Sequence, residues 1–352
     1  MHLTDTSRGT VPGASNRGAS RGAPRAFLYA IRTAAILLAA TASQANAQWA
    51  WRARLDNDAY NFWQHPAART DEEYSNGVRL SAETYRAPWW ARRLARNASC
   101  EAASRSTCVS HELMLAQEIY TPNLDRAPYT VTDWERERPY AAWLYVSSTA
   151  RFARPHSLDE IELAAGVTGA PALGELAQTI AHHINERYTR RAHGWETQIG
   201  FEPGLLARYR RSWLARAATR HGPAIELQPF IGAAAGNILT NAEAGAQARV
   251  GIAVSHPWHV PEWHERAALE VYVLGGIRQE VVAHNFSLDG NTVNPDRAVE
   301  RRPAVREHTV GIGARYKRIT LSWRAVTRTQ EYSSGPRLHR YGVMQGGIEV
   351  IP

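Results

Sequence analysis

Hydrophobic and polar residues alternate with a period of two along most of the chain after residue 48. Trp49, Trp51, Ala53 and Leu55 interleave with Arg52, Arg54 and Asp56, and Val78, Leu80 and Ala82 with Arg79, Ser81 and Glu83. Leu113 and Leu115 are set against Glu112 and Glu118, and Ile161, Leu163, Ala165 and Val167 against Glu160 and Glu162. The pattern runs on through Ile225, Leu227 and Ile231, then Ala246 to Val254, then Leu269 to Ile277, and then Ile319, Leu321 and Trp323. Successive side chains of a strand point to opposite faces, so each run predicts a two-faced strand. A soluble sandwich also alternates. Here, however, the polar face carries Glu and Arg deep inside many strands, and the apolar face is small or aliphatic with aromatics near the strand ends. That distribution predicts an all-β fold, a transmembrane antiparallel β-barrel with its apolar face toward lipid and its polar face toward a wet lumen. About twelve strands are expected, an even number as such barrels use.

With both chain ends on the periplasmic side, the outer connections fall at residues 58–73, 121–137, 169–193, 237–240, 283–303 and 332–340. The inner turns at 154–156 and 316–318 are short. A third inner connection, 86–108, is longer and carries both cysteines. One stretch breaks the strand pattern: 174–188, GELAQTIAHHINERY, which predicts a short helix in an extracellular loop. Gln178, His182 and Glu186 recur every fourth residue and share one face of that helix. A solvated polar face is the plain reading; a base held over a substrate is the functional one.

Composition adds a compartment. Residues 1–26 are rich in Gly, Ser, Arg and Thr, followed by AFLYAIRTAAILLAATASQANA, an apolar run ending in Ala45-Asn46-Ala47. This reads as a secretory leader over residues 1–47, with the outer-membrane barrel over 48–352. The leader also holds Gly18-Ala19-Ser20-Arg21-Gly22, a match to the serine-hydrolase elbow that lacks the strand and helix the elbow needs. The chain has 12 Trp and 14 Tyr but only 6 Phe, a bias suited to membrane interfaces. Its net charge is +8; the leader's five Arg and one Asp account for +4, leaving +4 for the rest. So small and dispersed an excess argues for no nucleic-acid partner. Cys100 and Cys108 are the only cysteines; they either close a small loop as a disulfide or stand as two free thiols. The adjacent His182-His183 pair lacks the four-residue spacing of a zinc helix.

Three segments thus direct Asn57, Asp58, Ser75, Gln178, His182 and Glu186 toward one rim. Asn57-Asp58 suits a strand end and turn, and Ser75 a lumen-facing strand position. The alternation leaves Asn57 on the apolar side, so a bulge or strand end has to turn it. Together a His, carboxylates and amide or hydroxyl donors suffice for hydrolysis assisted by a hard metal ion.

The blocks LDNDAYNF (55–62), TDEEYSNGVRLS (70–81), AQEIYTPNLD (116–125), ERPYAAWLY (137–145), ELAAGVTGAPALGELAQTIAHHI (162–184) and GWETQIGFEPGL (194–205) resemble the outer-membrane lipid A 3′-O-deacylases. The resemblance spans most of the mature chain. It implies a twelve-stranded barrel of the Gram-negative outer membrane with an active site near the outer rim, roofed by a loop helix. It implies Ca²⁺-dependent removal of the 3′-linked acyloxyacyl chain of lipid A, the lipid anchor of lipopolysaccharide. By position, His182 is the base that activates water, with Asn57, Ser75 and Gln178 around the reacting ester. Asp58 and Glu186 are the expected metal ligands, with Glu175 as an alternative to Glu186. A membrane-embedded monomer is expected. Two other readings stand beside this one: a passive structural or channel barrel, and an outer-membrane phospholipase using Ser75 as nucleophile.

Overall fold

A computed structural model describes residues 49–60, 73–96, 98, 100, 107–122, 135–184, 194–219, 222–258, 268–293 and 297–350. The alternating segments form strands β1 (Trp49–Asn57), β2 (Glu73–Thr84), β3 (Cys108–Thr121), β4 (Ala141–Arg154), β5 (Ser157–Thr168) and β6 (Pro203–Trp213). They continue as β7 (Ala215–Ala218), β8 (Pro223–Gly236), β9 (Leu239–Ile252), β10 (Leu269–Asn285), β11 (Ala304–Tyr316), β12 (Ile319–Thr329) and β13 (Leu338–Val350). Both β6 and the short β7 pair with β8, interrupted at Leu214, so they form one broken stave. The barrel therefore has twelve antiparallel staves. It closes where β1 pairs with β13, from Trp49 opposite Val350 to Asn57 opposite Gly342. Helix α1 (Gly174–Ile184) follows β5, and a single turn, α2 (Phe286–Asp289), follows β10. The leader lies outside the described residues.

Side-chain direction follows the alternation. Outward positions are aliphatic and open: Ile252 and Leu321 are each 63% exposed, and Val310 is 60% exposed. So much exposed hydrocarbon on every stave needs lipid as its solvent. Inward positions carry ion pairs. Examples are Arg52–Glu83 at 2.6 Å, Arg79–Glu118 at 2.7 Å, Arg210–Glu243 at 2.7 Å and Arg278–Glu280 at 2.8 Å. Each of these charges thus finds an opposite charge on its own or a nearby stave, which lowers the cost of removing it from bulk water.

At the outer end, described loop residues pack over the lumen. Phe286 of α2 reaches across the lumen to Tyr120 and Trp143, with ring centroids 5.8 and 6.5 Å apart. Arg138 is fully buried and donates to Glu73 at 2.8 Å and to Ser287 at 3.0 Å. Tyr332 completes this cluster by donating to Glu73 at 2.8 Å; burial, and then the Glu73 charge, push its phenol well above the usual range. At the opposite end, Cys100 and Cys108 form a disulfide, which resolves the alternative left open by the sequence.

Candidate active site on the outer wall

Of the predicted residues, Asn57, Asp58, Ser75 and Gln178 lie on the outside of the barrel near its outer rim. The reason is local. β2 bulges between Tyr74 and Asn76, so Ser75 has no partner on β3. Tyr74 beyond the bulge is thereby turned inward, its hydroxyl 3.0 Å from Asp56. The extra residue turns Ser75 away from the lumen, and its hydroxyl meets that of Thr121. Thr121 belongs to the outward set of β3, with Leu113, Leu115, Gln117 and Ile119. The expected lumen-facing position of Ser75 is therefore corrected: a one-residue insertion moves a side chain to the other face.

Asn57 ends β1 on the same outward face and donates from Nδ2 to the Ser75 carbonyl at 2.7 Å. Because the cluster itself lies outside, Asn57 needs no turn toward the lumen. Asp58 begins a 3₁₀ turn, Asp58–Tyr60, and is 2% exposed. That turn folds over the wall: Trp323 donates to the Tyr60 carbonyl at 3.4 Å. A Cβ at Gly342 would lie 2.3 Å from the same oxygen, so only glycine permits this approach.

Helix α1 packs on the neighbouring staves. Ile119, Tyr140, Ala142, Ala172 and Trp195 form one buried apolar cluster, joined by Leu144 and Ala177. Gln117 donates to the Ala172 carbonyl at 2.6 Å and holds the turn before the helix. Leu173 adopts a left-handed conformation just before the helix begins. A Cβ at Gly174 would sit 2.4 Å from the Trp195 ring and 2.7 Å from Ala142, so glycine lets the helix touch the wall.

Gln178 is buried between this helix and Trp195. Trp195 Nε1 donates to Gln178 Oε1 at 2.7 Å. Indole nitrogen can only donate, so this bond fixes which end of the amide is oxygen. Among the described residues, Gln178 Nε2 is then buried with no hydrogen-bond partner. Such a donor is costly to leave unmet, and it is available to an incoming carbonyl oxygen. His182 lies one turn further along the same helix. Glu175 is exposed in the first turn, and Glu186 lies outside the described residues.

The described geometry thus has two halves on one wall. Asn57, Asp58, Ser75 and Thr121 lie over β1–β3, and Gln178 and Trp195 over β3 and β4. Ile119 and the Tyr140–Trp195 ring pair, 4.9 Å apart, fill the space beside β3. Among the described residues no three His, Cys, Asp or Glu side chains gather as a metal site. The donors present around Asp58 are nonetheless carboxylate, amide and hydroxyl oxygens, the type a hard divalent ion prefers.

Three members escaped the sequence reading: Thr121, Gln117 and Trp195. A signal existed for two of them. Gln117 and Thr121 are polar at outward positions of β3, where lipid would demand apolar side chains. The loops are stapled by Glu202, which accepts from Thr292 and Asn237 at 2.5 Å and from the Val293 amide at 3.1 Å. Burial alone would raise the Glu202 pKa, but these hydrogen bonds outweigh it and hold the carboxyl below its ordinary value.

Below α1 the wall forms an apolar groove. Leu115, Val146, Ala165 and Leu205 make one row across β3 to β6, and Leu113, Ser148, Leu163 and Ala207 the next. The small residues set the floor and the leucines the rims.

Comparison with known proteins agrees with this architecture. The family described as outer membrane protein LpxR matches residues 27–350. The solved structure of LpxR from Salmonella typhimurium is similar, with a TM-score of 0.67 and 20% identity, over 85% of this chain and 99% of that one. The β-domain of the Bordetella autotransporter BrkA gives a TM-score of 0.42 at 10% identity, over 87% of this chain and 99% of that one. No protein of curated function matches the chain in sequence.

Proposed function

Because the chain belongs to the LpxR family of outer-membrane proteins, we propose that it is a Ca²⁺-dependent lipid A 3′-O-deacylase acting at the outer leaflet. The observation that carries this reading is the Gln178 amide. It is buried on the outer wall and oriented by Trp195, with one donor unsatisfied among the described residues, and it precedes His182 by one turn of the helix. A substrate anchored in the outer leaflet meets this wall directly, without entering the lumen. The apolar groove below α1 suits one acyl chain of such a lipid.

His182 takes a proton from water, and the resulting hydroxide attacks the ester carbonyl carbon. Gln178 Nε2 donates to the oxygen that becomes negative, an interaction stronger in the transition state than in the ground state. The tetrahedral centre then collapses. The bond between the acyl carbon and the 3′ oxygen of the sugar breaks, and the imidazolium gives its proton to that departing oxygen, leaving a 3′-hydroxyl. The acyloxyacyl chain leaves as a carboxylic acid. Asp58, the Asn57 side-chain oxygen and Glu186 are the residues that would hold Ca²⁺, which supplies Lewis-acid polarisation of the ester carbonyl. Asn57 and the Ser75–Thr121 hydroxyl pair keep the two strand ends in register around that position.

A phospholipase would use Ser75 as nucleophile beside a His. Among the described residues, the Ser75 hydroxyl is paired with Thr121 instead. A passive channel is opposed by the loops and Phe286 across the mouth. The test is purified, refolded barrel incubated with lipid A and Ca²⁺, with products read by mass spectrometry. Loss of one acyloxyacyl unit supports the deacylase. Labelling of Ser75 by a serine-directed phosphonate, with phospholipid cleavage instead, would replace it by the phospholipase.

A further inference from the structure

The inner connection after β2 does not hang free beneath the barrel. Its residues 87–96, and Ala98, fold back onto the outside of the wall. Ala87, Trp90, Ala91, Ala95 and Ala98 pack on Val109, Ala150, Phe152 and Ile161, which are outward residues of β3, β4 and β5. The turn is held by Ala91 N to Pro88 O at 3.0 Å and Leu94 N to Ala91 O at 3.0 Å. Trp90 donates to Ser148 at 3.0 Å, and Ser148 also meets His111 at 2.8 Å. These two polar residues lie on the lipid face, and the folded segment supplies the partner that lipid would not.

The segment has a second face. Trp89 is 79% exposed and Leu94 is 66% exposed, and Arg92, Arg93 and Arg96 are exposed beside them. From Tyr85 to Ala98 the sequence holds four arginines and no acidic residue. This face lies at the end of the barrel where β1 begins and β13 ends. Other outward aromatics mark the same level: the stacked pair Trp49 and Trp51, then Trp213 and Tyr316, which are 37% and 57% exposed. That is an interfacial aromatic girdle, and Trp89 extends it. An element with aromatic and aliphatic residues amid arginines lies in the headgroup plane and gains from anionic lipid.

We propose that residues 85–96 form an interfacial anchor that inserts Trp89 and Leu94 into the periplasmic leaflet and binds phospholipid phosphates through Arg92, Arg93 and Arg96. The site is separate from the outer-rim cluster and does not depend on the catalytic reading. Tethering by the Cys100–Cys108 disulfide keeps the segment against β3.

Both native cysteines are paired, so Leu94→Cys offers a single thiol for a nitroxide in the full barrel reconstituted in vesicles. The label is expected to collide more with oxygen than with chelated nickel, as a lipid-facing control at Val310→Cys does. A label at Arg337→Cys, in the outer loop after β12, gives the aqueous reference. Equal nickel access at positions 94 and 337 would overturn the insertion. Spin-labelled phosphatidylglycerol should be retained over phosphatidylcholine by the wild-type protein by on the order of fivefold. The combined Arg92→Gln, Arg93→Gln and Arg96→Gln variant should abolish that preference. Wild-type protein without a preference, or a variant that inserts normally and keeps it, would overturn the phosphate claim.

Discussion

Gln178→Glu separates the two bonds that the Gln178 amide can make. The glutamate is isosteric and keeps an oxygen 2.7 Å from Trp195 Nε1, so the packing of α1 on the wall should survive. What it loses is the buried Nε2 donor, which has no partner among the described residues. If that donor meets the developing oxyanion, its loss costs about 100- to 1,000-fold in kcat, ~3 kcal/mol. The second carboxylate oxygen would face the oxyanion and add repulsion, so the upper end of that range is expected. Trp195→Phe provides the contrast. It frees the amide to flip but keeps the donor. A neutral hydrogen bond contributes only about 1 kcal/mol net, so less than ~10-fold should be lost. The assay is single-turnover release of the acyloxyacyl acid in detergent micelles, with heat-modifiable gel migration confirming folded barrel. Gln178→Glu within about threefold of wild type would refute the oxyanion role, and equal losses in the two variants would make Gln178 a packing residue.

Other predictions concern the scaffold. Arg138→Met leaves the Glu73 carboxylate buried without its cation, so the barrel should lose ~3–5 kcal/mol, read as a lower unfolding midpoint in denaturant. Glu202 has a depressed folded pKa against an ordinary value of 4.5. Its stapling contribution is therefore fully present above pH ~4.5 and lost as pH falls through the lower folded value. Proteolysis of the rim loops should accelerate only in that acid window, and Glu202→Gln should remove the pH dependence. Cys108→Ser opens an eight-residue separation and should cost ~2–3 kcal/mol, lowering the midpoint under oxidising conditions but leaving that of reduced protein unchanged.

The barrel was legible because its signal repeats in every stave. Alternation places Leu163 outside and Glu162 inside without any knowledge of neighbours. Helix α1 was legible from its four-residue spacing, although the structure describes it only to Ile184. The side of the wall on which the site lies was not legible. A period-two pattern carries no mark for an inserted residue, and the bulge at Ser75 reverses both Ser75 and Tyr74 relative to the alternation of β2. The run Tyr74-Ser75-Asn76, polar at consecutive positions, was the available hint. The Glu202 staple and the Arg138–Glu73 pair join residues far apart in sequence, so only the closed barrel brings them together. The connection 86–108 read as a plain inner loop because its apolar residues cover a wall that sequence alone does not reveal.

A Ca²⁺-dependent lipid A deacylase with His182 as its base, the function proposed above, is tested most directly by mass spectrometry of lipid A from cells expressing the wild type or His182→Ala, treated with Ca²⁺ or with chelator. Loss of an acyloxyacyl mass is expected only for wild type with Ca²⁺. Unchanged lipid A in every sample, with the barrel folded in the outer membrane, would contradict it.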